Sequence, residues 1–146
     1  MLPPMAGVEP LWVFDVDGCL IDALTGTSLR PGARALLRHL RRSGRGVVWW
    51  SAGGDEYAQR RAEALGVRGL IDAFHGKNER GATGRYLTGH FLDRHQGALF
   101  VDDRPEDLPI GAPFIAVSPY LGDNPHDRGL LPVGEQAGMT ATELFE

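Results

Sequence analysis

The sequence predicts an α/β fold in which a parallel sheet of about five strands is flanked by helices. Five short apolar runs recur along the chain, and longer segments with helically spaced apolar residues separate them. Continuous apolar runs are typical of parallel strands that are buried on both faces. With 146 residues and 42% hydrophobic content, the chain is expected to form one domain, residues 1–146, with its core over about 11–118.

The strands are placed where the apolar runs are uninterrupted, because each run is long enough to form a central strand. The expected strands are residues 11–15, 46–51, 71–75, 98–102 and 113–118. Between the first two, Pro31 suits the first turn of a helix, residues 35–40 supply an apolar face, and Gly44 ends the helix.

Later helices are predicted from the same signals, with a glycine closing each one. They are expected at residues 55–65, closed by Gly66, at 83–95, closed by Gly97, and as a short turn at 105–108. Residues 119–146 are rich in Gly, Pro and Asp, which predicts an irregular tail with one terminal helical turn around 140–145.

The charge distribution gives only weak support for a nucleic-acid partner. The formal net charge of −4 differs from the basic character of most nucleic-acid-binding proteins. A solvated helix face explains the local excess of arginine most simply, and guidance of an acidic or polynucleotide partner is the alternative. The arginines concerned are Arg30, Arg34, Arg38, Arg41, Arg42, Arg45, Arg60, Arg61 and Arg68.

Cysteine content and hydropathy predict a cytoplasmic protein without membrane contact. Cys19 is the only cysteine, so no disulfide can form within the chain, and a reducing compartment is expected. No window approaches the roughly 18 apolar residues of a membrane span. Residues 1–10 lack the basic and apolar regions of a signal peptide, so export is not expected.

Residues capable of catalysis or ligand binding follow four of the five expected strands. Ligands of parallel α/β sheets bind beyond the carboxyl ends of the strands, so these residues are expected to lie together. The candidates are Asp15 and Asp17 after the first strand, Ser51, Ala52 and Gly53 after the second, Lys77 after the third, and Asp102, Asp103 and Asp107 after the fourth.

Converging carboxylates repel one another and raise their own pKa values unless a cation lies among them. Mg²⁺ resolves this conflict most simply, because it takes oxygen ligands and completes its shell with water and phosphate oxygens. Lys77 adds positive charge, while the Ser51 hydroxyl and the amides of Ala52 and Gly53 are expected to donate to an anion. These features suit a phosphoryl group.

Four sequence stretches resemble, in order, the motifs of the haloacid dehalogenase (HAD) superfamily of phosphohydrolases. FDVDGCL resembles the first motif, VVWWSAGG the second, Gly76-Lys77 the third and FVDDRPEDL the acidic fourth motif. The resemblance covers roughly residues 11–118 and implies a Rossmann-like fold. Other phosphate chemistries fit less well, because the chain has neither a P-loop GxxxxGK(S/T) motif nor the CxxxxxR pattern of cysteine phosphatases.

The resemblance also implies roles for individual residues. Asp15 would be the nucleophile that forms an aspartyl-phosphate, and Asp17 would act as general acid and then as general base. Ser51 and Lys77 would bind the phosphate and assist catalysis. Mg²⁺ would be held by Asp15, the main-chain carbonyl of Asp17 and the side chain of Asp103, although Asp102 is an equally adjacent candidate ligand. Asp102 and Asp107 would orient Lys77 or metal-bound waters.

The short segment 21–30 is expected to form only a turn and a flap-like hairpin, which resembles members of the superfamily without a cap domain. The function expected from the resemblance is Mg²⁺-dependent hydrolysis of phosphate monoesters, on a small molecule or on a macromolecule. A phosphotransferase or a polynucleotide 3′-phosphatase on the same scaffold is one alternative. A non-catalytic module that binds metal and phosphate is another.

Overall fold

A computed structural model of the protein describes residues 10–77, 80, 84–86 and 97–146. Five parallel strands form one open sheet in the order β3-β2-β1-β4-β5. The strands are β1 (Trp12–Phe14), β2 (Val47–Ser51), β3 (Ala73–Gly76), β4 (Leu99–Asp102) and β5 (Phe114–Ala116). The α/β fold with a parallel sheet, consistent with a Rossmann-like arrangement, is therefore confirmed.

All five predicted strands are present, and each begins and ends within two residues of its expected ends. The first strand lies at the centre of the sheet, where Trp12 is in register with Val47 on one side and with Leu99 on the other. Side chains alternate between the two faces of a strand, so Trp12 and Phe14 join one apolar cluster and Val13 joins another on the opposite face.

Helix α1 (Ala33–Arg42) and helix α2 (Asp55–Ala64) confirm the first two predicted helices. Helix α1 buries one face against the larger apolar cluster, through Ala33, Leu36, Leu37 and Leu40. A short 3₁₀ helix, Pro105–Asp107, matches the predicted turn. Among the described residues, no helix is long and apolar enough to cross a membrane.

The predicted helix at 83–95 lies mostly outside the described residues. Of this segment, residues 84–86 are described, and they are not helical. Tyr86 instead forms an isolated antiparallel bridge with Arg80, and its N–H donates to the carbonyl of Asp107 over 2.8 Å. The prediction is therefore wrong for residues 84–86, and the remainder of the predicted helix lies outside the described residues.

Residues 119–146 are more ordered than the sequence predicts. They contain helix α3 (Leu131–Gln136) as well as the expected terminal turn, which is helix α4 (Ala141–Phe145). A capping box of Thr140 and Glu143 starts α4. The segment also contributes to the larger apolar cluster, through Leu130, Val133, Ala137, Met139 and Leu144. The tail is thus part of the core, because its apolar residues cover helix α1 and its neighbours.

A buried ion pair joins this C-terminal segment to the segment that follows β1. The Arg30 side chain is fully buried, and its Nε lies 2.7 Å from Oδ1 of Asp127. Arg30 also donates to the Ser118 hydroxyl and to the carbonyl of Cys19. Gly129 packs so closely on Arg30 that a Cβ at this position would clash with the guanidinium, so Arg30 would have to shift to admit a larger residue.

Candidate active site

The carboxyl ends of the central strands open into one cleft of about 210 Å³. Most of the site residues predicted from the sequence line this cleft, and Ser51 and Gly53 are the exceptions. The lining residues are Asp15, Asp17, Ala52, Lys77, Arg80, Tyr86, Asp102, Asp103, Arg104 and Asp107. Parallel strands bring these residues together because their carboxyl ends meet at one edge of the sheet.

Three aspartates form the centre of the site. Asp15 directly follows β1. Asp102 is the last residue of β4 and Asp103 follows it, so the parallel register of the two strands makes these three residues neighbours. Ligand oxygens of Asp15, Asp102 and Asp103 all lie within 4.8 Å of one another, and we call this group the aspartate cluster. Such spacing brings like charges close enough to repel strongly.

Lys77 partly neutralises the aspartate cluster. Its side chain is only 5% exposed, and its Nζ donates to Oδ1 of Asp15 over 2.8 Å and to Oδ2 of Asp102 over 3.3 Å. The Nζ also lies 5.1 Å from the centre of the Trp50 ring and 5.4 Å from that of Tyr86. These aromatic faces favour the charged form of the buried ammonium group.

Burial and the neighbouring carboxylates together raise the pKa values of Asp15 and Asp102 more than Lys77 lowers them. Burial raises the pKa of Asp15 well above its usual value, and Asp102 raises it further, although Lys77 opposes both effects. Burial also raises the pKa of Asp102, again against the effect of Lys77. For Lys77 itself, burial alone would lower the pKa, but Asp15 and Asp102 outweigh it and raise the pKa.

The aspartate cluster fits a hard divalent cation such as Mg²⁺. All of its donor atoms are carboxylate oxygens, which such cations prefer. Gly18, at φ +80°, leaves room for the cluster, because a Cβ there would lie 2.7 Å from Oδ2 of Asp103. Both oxygens of Asp102 already accept hydrogen bonds, from Lys77 and from the Arg104 N–H, which leaves Asp103 the freer ligand.

The loop after β2 is arranged differently from the sequence prediction. Ser51 is 1% exposed, and its Oγ accepts a hydrogen bond from the Gly53 N–H over 3.0 Å. The Gly53 amide is therefore already paired inside the loop, and Ala52 is the residue of this loop that lines the cleft. The Ser51 carbonyl accepts from the N–H of Lys77 over 2.8 Å, which ties the ends of β2 and β3 together.

Tyr57 contacts the site, although the sequence analysis did not identify it. Its hydroxyl donates to Oδ1 of Asp17 over 2.7 Å. Burial, together with the hydrogen bond to Asp17, raises the pKa of Tyr57 to about 12, so the hydroxyl stays protonated at physiological pH. No sequence motif marks Tyr57, because its contact with a residue 40 positions earlier depends on how α2 packs.

Asp107 lies at the rim of the cleft, where it pairs with two arginines instead of Lys77, one of its two predicted partners. Its carboxylate pairs with Arg80 at 3.5 Å and with Arg104 at 3.3 Å. The Arg80 guanidinium stacks over the Tyr86 ring, 4.1 Å from its centre. Both aspartates were expected to orient Lys77 or metal-bound waters. Among the described residues, Asp102 contacts Lys77 and Asp107 does not, while a role toward metal-bound waters stays a prediction.

Comparisons with known proteins agree with the fold. No protein-family model matches the chain, and no curated protein matches it. One crystal structure is similar with a TM-score of 0.54 and 16% identity, over 78% of this chain and 69% of that chain. A chain from the structure of the Pnkp1/Rnl/Hen1 complex is similar with a TM-score of 0.51 and 17% identity, over 79% of this chain and 48% of that chain. This chain thus spans about half the length of the second neighbour, and both similarities concern the fold alone.

Proposed function

We propose that this chain is a Mg²⁺-dependent phosphatase of the HAD type, which hydrolyses phosphate monoesters through an aspartyl-phosphate on Asp15. The observation that carries the proposal is the aspartate cluster with one buried lysine at the carboxyl edge of a parallel sheet. The order of the four sequence motifs supports it independently. A cluster with excess negative charge has a physical reason to exist if it binds a cation and then a phosphate.

Asp15, Asp103 and the main-chain carbonyl of Asp17 are the proposed ligands of Mg²⁺. When bound, the ion would offset the charge of the cluster and of the substrate phosphate, which otherwise repel each other. Lys77 contributes a second positive charge beside Asp15. Ala52 lines the same cleft, and its main chain is proposed to contact the phosphate.

In the first step, a carboxylate oxygen of Asp15 attacks phosphorus, and the bond between phosphorus and the ester oxygen breaks. Asp17 gives its proton to the leaving oxygen, so that an alcohol departs. In the second step, Asp17 takes a proton from water while the water oxygen attacks phosphorus. The bond between Asp15 and phosphorus then breaks, which releases inorganic phosphate and restores both carboxyl groups.

The size of the cleft bears on which part of a substrate it holds. Pockets that enclose drug-sized ligands measure roughly 300–1,000 Å³, whereas this cleft measures about 210 Å³. We propose that the phosphoryl group enters the cleft and that most of the substrate stays outside it. A phosphate carried by a macromolecule is therefore as acceptable as a small phosphate ester.

The proposal is tested by measuring hydrolysis of an aryl phosphate with Mg²⁺ and with a chelator. We expect turnover with Mg²⁺ and none with the chelator. We expect Asp15→Asn to lower the turnover rate by at least about 10³-fold without a change in folding. Asp123→Asn is the matched control, because Asp123 is exposed and its φ of 49° suits asparagine. Turnover by Asp15→Asn at the rate of the control would contradict the nucleophile assignment.

The same assay separates the alternatives. A phosphoryl group recovered on an added alcohol would indicate a phosphotransferase, and selective release of phosphate from a 3′-phosphorylated oligonucleotide would indicate a polynucleotide phosphatase. Binding of Mg²⁺ without hydrolysis of any ester would support a non-catalytic module and contradict the proposal.

A further inference from the structure

The first turn of α2 places a tyrosine hydroxyl on one oxygen of Asp17. Tyr57 donates to Oδ1 of Asp17 over 2.7 Å, a typical distance for a hydrogen bond between a hydroxyl and a carboxylate. Asp17 lines the cleft beside Asp15, whereas Tyr57 is not among the lining residues. Tyr57 is thus suited to act through Asp17 and not on a substrate directly.

The Tyr57 ring is confined by its neighbours. Gly53 packs against it so closely that a Cβ would lie 2.6 Å from Cδ2 of the ring. Arg61, one turn later in α2, lies 5.9 Å from the ring centre and donates to the carbonyl of Gly26 over 3.2 Å. Contacts from the β2 loop and from Arg61 therefore fix where the hydroxyl points.

We infer that Tyr57 is a positioning residue for Asp17, an inference that rests on the proposed function. A carboxylate only accepts hydrogen bonds, so the Tyr57 hydroxyl is the donor and Oδ1 of Asp17 is engaged as acceptor. The proton that Asp17 gives to the leaving oxygen is then carried by Oδ2. Tyr57 thereby selects the oxygen that performs proton transfer and holds the carboxyl group in one orientation.

This role has a consequence that a purely structural role does not have. An alkoxide is a poor leaving group and needs a proton as the phosphorus–oxygen bond breaks, whereas a nitrophenolate leaves readily without one. Loss of the Tyr57 hydroxyl should therefore slow the hydrolysis of alkyl phosphates more than that of nitrophenyl phosphates. The parameter kcat/KM reports this step, because it covers events up to the first irreversible one.

The experiment compares Tyr57→Phe with the wild-type protein on a nitrophenyl phosphate and on an alkyl phosphate. Phenylalanine keeps the ring on Gly53 and removes only the hydroxyl. We expect kcat/KM to fall by about tenfold or more for the alkyl ester and by less than about threefold for the nitrophenyl ester. Tyr120→Phe is the matched control, because Tyr120 is buried but does not line the cleft, and it should change neither value.

A second arm places Tyr57→Phe in an Asp17→Asn background, where it should cause no further loss if it acts through Asp17. Equal losses for the two esters, or an additive loss in that background, would overturn the inference, and thermal unfolding separates either result from misfolding. A wild-type protein that hydrolyses neither ester would contradict the proposed function and this inference together. An active wild type with an unaffected Tyr57→Phe would contradict the inference alone.

Discussion

Lys77 is the residue on which the electrostatics of the site depend most directly. It is buried between Asp15 and Asp102, yet its single charge leaves the pKa values of both carboxyl groups raised. A third carboxylate, Asp103, lies in the same cluster. We propose that this arrangement serves to bind a cation at some expense in the stability of the metal-free protein, as is common where function and stability compete.

The first prediction concerns this trade-off and uses Asp103→Asn. Removing one negative charge within 4.8 Å of two others should stabilise the metal-free protein, by about 1 kcal/mol or more, because even the dielectric constant of water leaves about that much repulsion for each such pair. The same change should remove most of the stabilisation that Mg²⁺ gives, because a ligand is lost. Thermal unfolding in a chelator and in Mg²⁺ measures both effects.

Asp123→Asn again serves as the control, since it removes a charge from an exposed loop. It should leave the response to Mg²⁺ unchanged. If Asp103→Asn destabilised the metal-free protein, or still responded fully to Mg²⁺, the aspartate cluster would not be the cation site.

Residues of the site differ in how far the sequence predicts them. Asp15, Lys77 and the pair Asp102-Asp103 directly follow or end apolar strands, and strand ends meet at one edge of a parallel sheet. The contact of Tyr57 with Asp17 depends instead on the packing of a helix, which no local pattern encodes. The pairing of Gly53 with Ser51 is likewise a detail of loop conformation.

At the scale of elements, the loop of residues 22–28 is organised by one carboxylate. Asp22 is 2% exposed and accepts hydrogen bonds from the N–H groups of Thr25, Thr27 and Ser28 and from the hydroxyls of Thr25 and Ser28. Burial alone would raise the pKa of Asp22, but these hydrogen bonds outweigh it and lower the pKa well below 3.8. The loop is therefore held by an ionised group.

The second prediction is that Asp22→Asn destabilises the protein by about 2 kcal/mol near neutral pH, because asparagine has one acceptor oxygen instead of two. The folded-state pKa lies below the unfolded one, so the ionised group stabilises the fold above pH 3.8 and loses this effect as the pH falls further. The difference between wild type and variant should shrink in acid. Urea unfolding over a pH series measures it, and a difference that grew in acid would contradict the assignment.

The sequence predicts the strands better than it predicts the short helix α3. Buried parallel strands are continuous apolar runs, so the sequence predicts the ends of all five to within two residues. Helix α3 was missed because its six residues, LPVGEQ, include both a proline and a glycine and are too short to show a helical period. Its formation depends on the burial of Val133 against the core.

At the scale of the whole molecule, the C-terminal segment packs against the core and joins parts that are distant along the chain. The buried pair of Arg30 with Asp127 joins residues 97 positions apart, and the N–H of Tyr120 donates to the carbonyl of Gly18 beside the site. Helix α4 packs on α1 and α3, where Leu144 lies against Gly32 and Gly134. The sequence does not predict these contacts, because they join segments that are distant along the chain.

The third prediction is that Leu144→Ala lowers the free energy of unfolding by about 3 kcal/mol, because a side chain 2% exposed is lost from the core. Leu121→Ala is the matched control. Leu121 is 57% exposed, and its loss should cost less than about 0.5 kcal/mol. Equal effects of the two changes in chemical unfolding would mean that the C-terminal segment is an appendage and not part of the core.

We propose that Asp15, at the carboxyl edge of the sheet, accepts a phosphoryl group from the substrate with the help of Mg²⁺. Acid quenching during turnover of an aryl phosphate, followed by mass spectrometry of the peptides, tests it most directly. We predict one phosphoryl group on the peptide that contains Asp15, present with Mg²⁺ and absent with a chelator or in Asp15→Asn. If the protein turned over and the rapidly quenched sample carried its phosphoryl group on a residue other than Asp15, this result would contradict Asp15 as the nucleophile.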